Sequence, residues 1–174
     1  MPERLTVERI PTPIGDMLLA ADADGFLRAA DFTDCEDRLE RLLARRLGAG
    51  GFALAPGTVP VAIPGAMRDY FAGALAALGR IAVKTDGTPF QRTVWQALRE
   101  IPPGKPLGYG RLAERLGKPQ AARAVGHANG ANPFCVVVPC HRLVGADGAL
   151  TGYSGGTGRK RWLLEHEARH TAST

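Results

Sequence analysis

The sequence predicts an α/β fold in two parts: a small αβ domain over residues 1–85, then a mostly helical domain over 86–174 that carries a helix-turn-helix. Three observations predict it. Short apolar runs broken by turn residues crowd the first 32 positions. From Thr88 onward apolar residues recur at three- and four-residue spacing. The charge balance also changes near Lys84-Thr85-Asp86-Gly87, with 10 Lys and Arg against 11 Asp and Glu before position 86 and 12 against 6 from there on.

At 174 residues and 45% hydrophobic content the chain can bury a real core. Its three cysteines, Cys35, Cys135 and Cys140, are odd in number and form no CxxC pair. Neither a disulfide framework nor a cysteine-based zinc site is suggested, and a reducing cytoplasm fits best. No apolar run approaches the roughly 20 residues of a membrane span. The excess of cations in the second half suits a polyanionic partner such as nucleic acid if it clusters on one face, although a solvated basic surface is equally common.

Residues 5–32 read as antiparallel strands, with Ala23-Asp24-Gly25 as a hairpin turn. Over 34–46 Leu39, Leu42, Leu43 and Leu47 take helical spacing, and the acidic neighbours of Cys35 disfavour a thiolate there. Residues 48–60, rich in Gly, Ala and Pro, read as a loop, 64–78 as a helix and 81–83 as one more strand. In the second half Thr88, Pro89 and Gln91 spell a capping box, followed by the stripe Phe90, Val94, Ala97, Leu98 and Ile101. Short helices over 109–116 and 120–129, split by Gly117 and Pro119, make the helix-turn-helix. The second of them is nearly bare, with Ala121, Ala122, Ala124, Gly126 and Ala128 around a single long cation, Arg123. It can enter a groove, or pack its small face on the protein.

The chain is organised around Asn132-Pro-Phe-Cys-Val-Val-Val-Pro-Cys-His141. Three valines read as a short buried strand that Pro139 ends. Cys140 then stands beside His141 and Arg142, two groups suited to favouring a thiolate, although most free cysteines are merely small buried apolar residues. A loop with glycines at 152, 155, 156 and 158 surrounds Tyr153 and Ser154 and lets backbone approach a ligand. A last helix over 159–169 turns Trp162, Leu163 and Leu164 inward, and Glu167 shares their face. A carboxylate there needs a partner, either His141 or water.

The second half resembles the O6-alkylguanine-DNA alkyltransferases. The matching blocks are Thr-Pro-Phe-Gln-Arg-Thr-Val-Trp (88–95), Tyr-Gly-Arg-Leu-Ala (109–113), Ala-Arg-Ala-Val-Gly (122–126), Asn132-Pro133, Pro-Cys-His-Arg (139–142), Gly-Tyr-Ser-Gly-Gly (152–156) and Trp-Leu-Leu-Glu-His-Glu (162–167). The first half matches more loosely, through Pro13-Ile14-Gly15. The resemblance implies a ribonuclease H-like first domain and a winged-helix-like second one. It implies irreversible transfer of the alkyl group from O6-alkylguanine, and from O4-alkylthymine, in DNA to Cys140, one turnover per molecule. Under it His141 and Glu167 form, with a water, the relay that prepares the thiolate, Asn132 is the hinge, and Tyr109 assists protonation of the departing base. Tyr153, Ser154, Cys135, Val138 and Leu143 line the base pocket. Arg123 fills the stack vacated by the flipped nucleotide, and Ala122, Ala124 and Tyr109 lie against the minor groove. The partner implied is double-stranded DNA, met by a monomer with no cofactor, metal or membrane.

The chain departs from that pattern at His127-Ala-Asn-Gly-Ala131, at Gly108 before Tyr109, and at Cys135, and all four histidines lie at 127 or later. Two rival readings are a lesion-binding protein without chemistry, in which the cysteine is replaced, and a cysteine hydrolase, which usually separates its cysteine from its histidine. Cys140 speaks against the first, and Pro-Cys-His against the second.

Overall fold

A computed structural model describes residues 1–171. It resolves into two compact units: Met1–Asp86 together with Pro133–Val137, and Gly87–Asn132 together with the chain from Val138 onward.

The first unit is built on a sheet of order β3-β2-β1-β4. β1 (Glu3–Ile10), β2 (Met17–Ala21) and β3 (Leu27–Phe32) are the expected antiparallel strands, with Ile10 opposite Met17 and Met17 opposite Phe32. Asp22 makes the hairpin turn, its carboxylate accepting from the N–H groups of Asp24 and Phe26. α1 (Glu36–Leu47) presses Leu39 and Leu43 onto Leu5, Ala20 and Ala29 of the sheet. Arg28, buried on β3, pairs with Glu3, Asp22 and Asp86.

Three expectations for this unit need correction. Within 48–60 lies a strand, β4 (Phe52–Pro56), parallel to β1, with Glu3 opposite Phe52 and Val7 opposite Pro56. An edge strand takes its hydrogen-bond partners from its neighbour, so its Gly/Ala/Pro composition concealed it. The helix expected over 64–78 is α2 (Ala62–Phe71), broken at Gly73 (φ 113°) and followed by a 3₁₀ segment, Leu75–Arg80. No right-handed helix passes through that φ. The strand expected over 81–83 reduces to one bridge between Val83 and Leu27.

The valine run is buried as expected, but it is not a strand. Ala30 donates to Pro133 O and accepts from Cys135 N–H, and pairing ends there. Val136 takes φ 70° while Val137 N–H donates to Cys135 O (2.8 Å), a γ-turn. Cys140 N–H donates to Val138 O (2.7 Å) across Pro139 (φ −79°, ψ 68°), an inverse γ-turn. Valine's preference for strands is a preference for packed surroundings, and burial in a turn meets it. A β-branched residue at positive φ costs on the order of 1–3 kcal/mol, so the packing around Val136 imposes the bend.

The second unit opens with α3 (Pro89–Glu100), whose capping box is complete: Thr88 Oγ1 accepts from Gln91 N–H and Gln91 Oε1 from Thr88 N–H. Val94, Leu98 and Ile101 are buried as expected, while Phe90 and Ala97 are half-buried. Trp95, outside the expected stripe, is buried as well and donates Nε1–H to Ala128 O (2.8 Å), tying α3 to α5 (Ala122–Gly130). α4 (Tyr109–Arg115) precedes α5 across a turn with Gly117 at φ 74°. Two short parallel strands that the sequence did not announce, β5 (Leu107–Gly108) and β6 (Leu143–Val144), pair with each other. α6 (Thr157–Thr171) is longer than expected, and of its three expected inward residues Leu163 is buried while Trp162 and Leu164 are half-buried. Among the described residues no helix is long and apolar enough to cross a membrane.

Candidate active site

The reactive candidate sits on a turn held from several sides. Cys140 opens the 3₁₀ segment Cys140–Arg142 and is 4% exposed. Asn132, fully buried, donates Nδ2–H to Val138 O at 2.9 Å, on the carbonyl that Cys140 N–H also uses. Asn129 Nδ2 lies 3.5 Å from Cys140 O. One amide in the last turn of α5 and one just beyond it therefore hold the backbone around Pro139 and Cys140.

His141 and Arg142 both reach Glu167 on α6. His141 Nε2 is 2.8 Å from Glu167 Oε2. Arg142 places Nε on Oε1 and Nη2 on Oε2, each at 2.9 Å, and Nη1 on Ile101 O at 2.7 Å. The backbone of Cys140–Arg142 is a 3₁₀ turn, whose successive residues splay about a third of a turn apart, which lets two neighbours converge on one carboxylate. One expectation is corrected here, that of Arg142, read from the sequence as a group favouring the thiolate. Its guanidinium is committed to Glu167 and Ile101 O.

Burial pushes the Glu167 carboxyl up, but His141 and Arg142 together outweigh it and hold the group well below the usual carboxylate range. The ionised carboxylate accepts from His141 Nε2–H, which leaves the Nδ1 lone pair as the imidazole's free acceptor. Nδ1 is buried and has no protein hydrogen-bond partner.

Tyr109, half-buried at the start of α4, directs its hydroxyl to Thr151 O at 3.5 Å. Gly152, at φ 63° where an L side chain is strained, and Gly126 both lie against it: a Cβ on either would stand in ordinary van der Waals contact, 3.8 Å from the Tyr109 hydroxyl and ring respectively. Tyr153 is buried and meets the His141 ring edge-on, centroids 6.5 Å apart, whereas Ser154 is exposed. Val138 and Leu143 are buried on either side of Cys140. Cys135 belongs to the first unit, where its thiol hydrogen-bonds the carboxylate of Asp31.

α5 divides its faces. Val125, Ala128 and Asn129 are buried, Ala122 is half-buried, and Arg123 and Ala124 are exposed. Its small residues therefore serve both surfaces. Three contributors were not read from the sequence: Asn129, Trp95 and Lys160, which is wholly buried on α6. A signal for Lys160 existed, because positions 160, 163 and 167 follow the three- and four-residue steps of one helix face.

The chain is similar to known proteins along most of its length. Residues 89–169 match the family model described as 6-O-methylguanine DNA methyltransferase, DNA binding domain. The chain is 50% identical over 164 residues to the methylated-DNA–protein-cysteine methyltransferase of Salmonella typhimurium, covering 94% of this chain and 96% of that one. It is 38% identical to the protein of that name from Methanosarcina acetivorans, over 90% of this chain and 94% of the relative. Among solved structures it is similar to O6-methylguanine methyltransferase of Mycobacterium tuberculosis, with TM-score 0.77, 36% identity, 95% of this chain and 94% of that one. It is also similar to the M. tuberculosis OGT in complex with DNA, with TM-score 0.76, 36% identity and 96% and 94% coverage.

Proposed function

Because the chain belongs to the methylated-DNA–protein-cysteine methyltransferase family, we propose that it repairs double-stranded DNA directly, moving the alkyl group of O6-alkylguanine, and of O4-alkylthymine, irreversibly to Cys140. The observation that carries this reading is a cysteine on a clamped turn, next to a histidine whose far nitrogen is fixed by a buried glutamate. The Cys140 sulfur attacks the alkyl carbon, the carbon–oxygen bond breaks with its electron pair on O6, and the departing base takes up a proton. His141 Nδ1 receives the thiol proton through a water, with Glu167 stabilising the imidazolium. A thioether is a poor leaving group, so each molecule acts once.

In this reading Tyr109 supplies the proton to the leaving base. Tyr153, Ser154, Val138 and Leu143 form the pocket, and Asn132 holds the turn. Arg123, exposed on α5 with Ala124 beside it, enters the minor groove and fills the stack left by the extruded nucleotide. The basic balance of residues 86–174 suits the phosphate backbone. The strand order β3-β2-β1-β4 with one parallel partner supports a ribonuclease H-like reading of 1–85, and the helix-turn-helix with a small β pair supports a winged-helix-like reading of 86–174. A monomer in a reducing compartment such as the cytoplasm suits a protein whose cysteines are all unbridged.

The test is to incubate the full chain with duplex DNA containing O6-methylguanine and weigh its tryptic peptides. A gain of about 14 Da on the Cys140 peptide, stoichiometric and absent in Cys140→Ala, is expected for an S-methyl adduct. Unmodified protein on bound DNA would instead indicate a lesion binder, and many lesions processed per molecule a hydrolase.

A further inference from the structure

Lys160 has no part in the reaction as written above, yet its side chain is wholly buried on α6. A buried ammonium is unfavourable unless opposite charge or good acceptors surround it. Its hydrogen bond goes to the carbonyl of Thr151, at 2.9 Å from Nζ, and it makes no ion pair with a described carboxylate. Glu167, the buried carboxylate on the same helix, is occupied by His141 and Arg142. α6 packs directly on the turn that carries Cys140, where a charged sulfur would oppose the effect of burial on the Lys160 ammonium.

We propose that Lys160 is the counter-ion of the Cys140 thiolate, a positioning cation anchored on Thr151 O that favours the charged sulfur before transfer and loses its partner when the sulfur is alkylated. This rests on Cys140 being the alkyl acceptor. Burial lowers the proton affinity of Lys160, and the thiolate opposes that effect. The other ionisable groups around this turn are His141, Arg142 and Glu167, joined to one another, with Tyr153 against the His141 ring and Tyr109 sharing the Thr151 carbonyl. None of these places a carboxylate on Lys160.

The charge accounting has a consequence. Transfer forms an S–C bond and breaks the C–O6 bond, so the negative charge leaves the sulfur with the base, while the ammonium stays. Lys160 is then buried beside a neutral thioether, and its proton affinity falls. Coupling of this kind is reciprocal: what Lys160 does for the thiolate, the thiolate does for Lys160.

The experiment uses the full chain and needs no DNA. Iodoacetamide labelling of the Cys140 peptide, followed by mass spectrometry across pH, reads the thiolate midpoint at that one cysteine. In Lys160→Met the midpoint should rise by about one pH unit or more, with labelling about tenfold slower at pH values below the wild-type midpoint and converging on the wild-type rate in alkali. A midpoint unchanged from wild type, or an equal loss at every pH, would show that Lys160 only pins the Thr151 carbonyl, and would overturn the proposal. Should Lys160→Met not fold, wild-type protein decides: the NMR titration of the Lys160 side chain should move to lower pH after Cys140 is alkylated with O6-benzylguanine, and an unmoved titration refutes the counter-ion role. Failure of the alkyl-acceptor reading is separately visible, as absence of any benzyl adduct on Cys140.

Discussion

Arg142 and Glu167 meet fork to fork, Nε on Oε1 and Nη2 on Oε2, both at 2.9 Å and both buried. The geometry leaves the carboxylate little freedom to rotate, and it is this fixed carboxylate that holds His141 Nε2. The orientation of the His141 imidazole is thus set by Arg142, the next residue along the chain.

Replacing Glu167 by glutamine removes the charge that stabilises an imidazolium and strands a buried guanidinium. Single-turnover kinetics at neutral pH should show Cys140 alkylation slowed by roughly tenfold or more. Chemical denaturation should show a loss of about 3 kcal/mol, the scale of a broken buried ion pair. An unchanged alkylation rate would remove Glu167 from the relay.

The same carboxylate makes stability depend on pH. Its proton affinity is lower in the folded protein than in the unfolded chain. Below the ordinary carboxylate range the unfolded chain therefore binds a proton that the folded state does not. The contribution is present in full above about pH 5 and is lost progressively as pH falls toward the depressed folded value. Unfolding free energy measured from neutrality down to acid should decline with a steeper slope in wild type than in Glu167→Gln; parallel curves would refute the assignment.

Asn132→Ala deletes the 2.9 Å bond to Val138 O and leaves a buried carbonyl with one donor fewer. A cost of roughly 1–3 kcal/mol is expected. Because the turn that carries Cys140 loosens, reaction with free O6-benzylguanine and with duplex DNA should slow together. A loss confined to DNA would place Asn132 in groove binding instead.

Arg123 projects from the exposed side of α5. Arg123→Ala should weaken repair of duplex DNA, where an extruded nucleotide leaves a gap in the stack, while sparing reaction with free O6-benzylguanine. Equal losses on the two substrates, compared as second-order rate constants, would count against that role.

Local chemistry made much of the molecule legible in the sequence. The capping box of Thr88 and Gln91, the turn at Ala23-Asp24-Gly25 and the two-faced α1 are decided within a few residues, and each is present in the structure. Cys140, His141 and Glu167 were readable as a set, and the last two do meet. What misled was propensity without its partner. Three valines implied a strand, but Val136 at φ 70° turns the chain; Gly-, Ala- and Pro-rich text implied a loop, but β1 recruits it as β4.

Taken alone, the order of residues determined the capped start of α3 and the presence of a cysteine–histidine pair with a carboxylate on a later helix. It left undecided which cations that carboxylate binds and which carbonyl Arg142 reaches. Those depend on groups 25 and 41 positions apart, such as Arg142 with Glu167 and with Ile101, brought together by folding. Capping and turn signals act over one turn of chain and can be read from it, whereas a buried charge takes its partner from whatever packing delivers within about 3 Å.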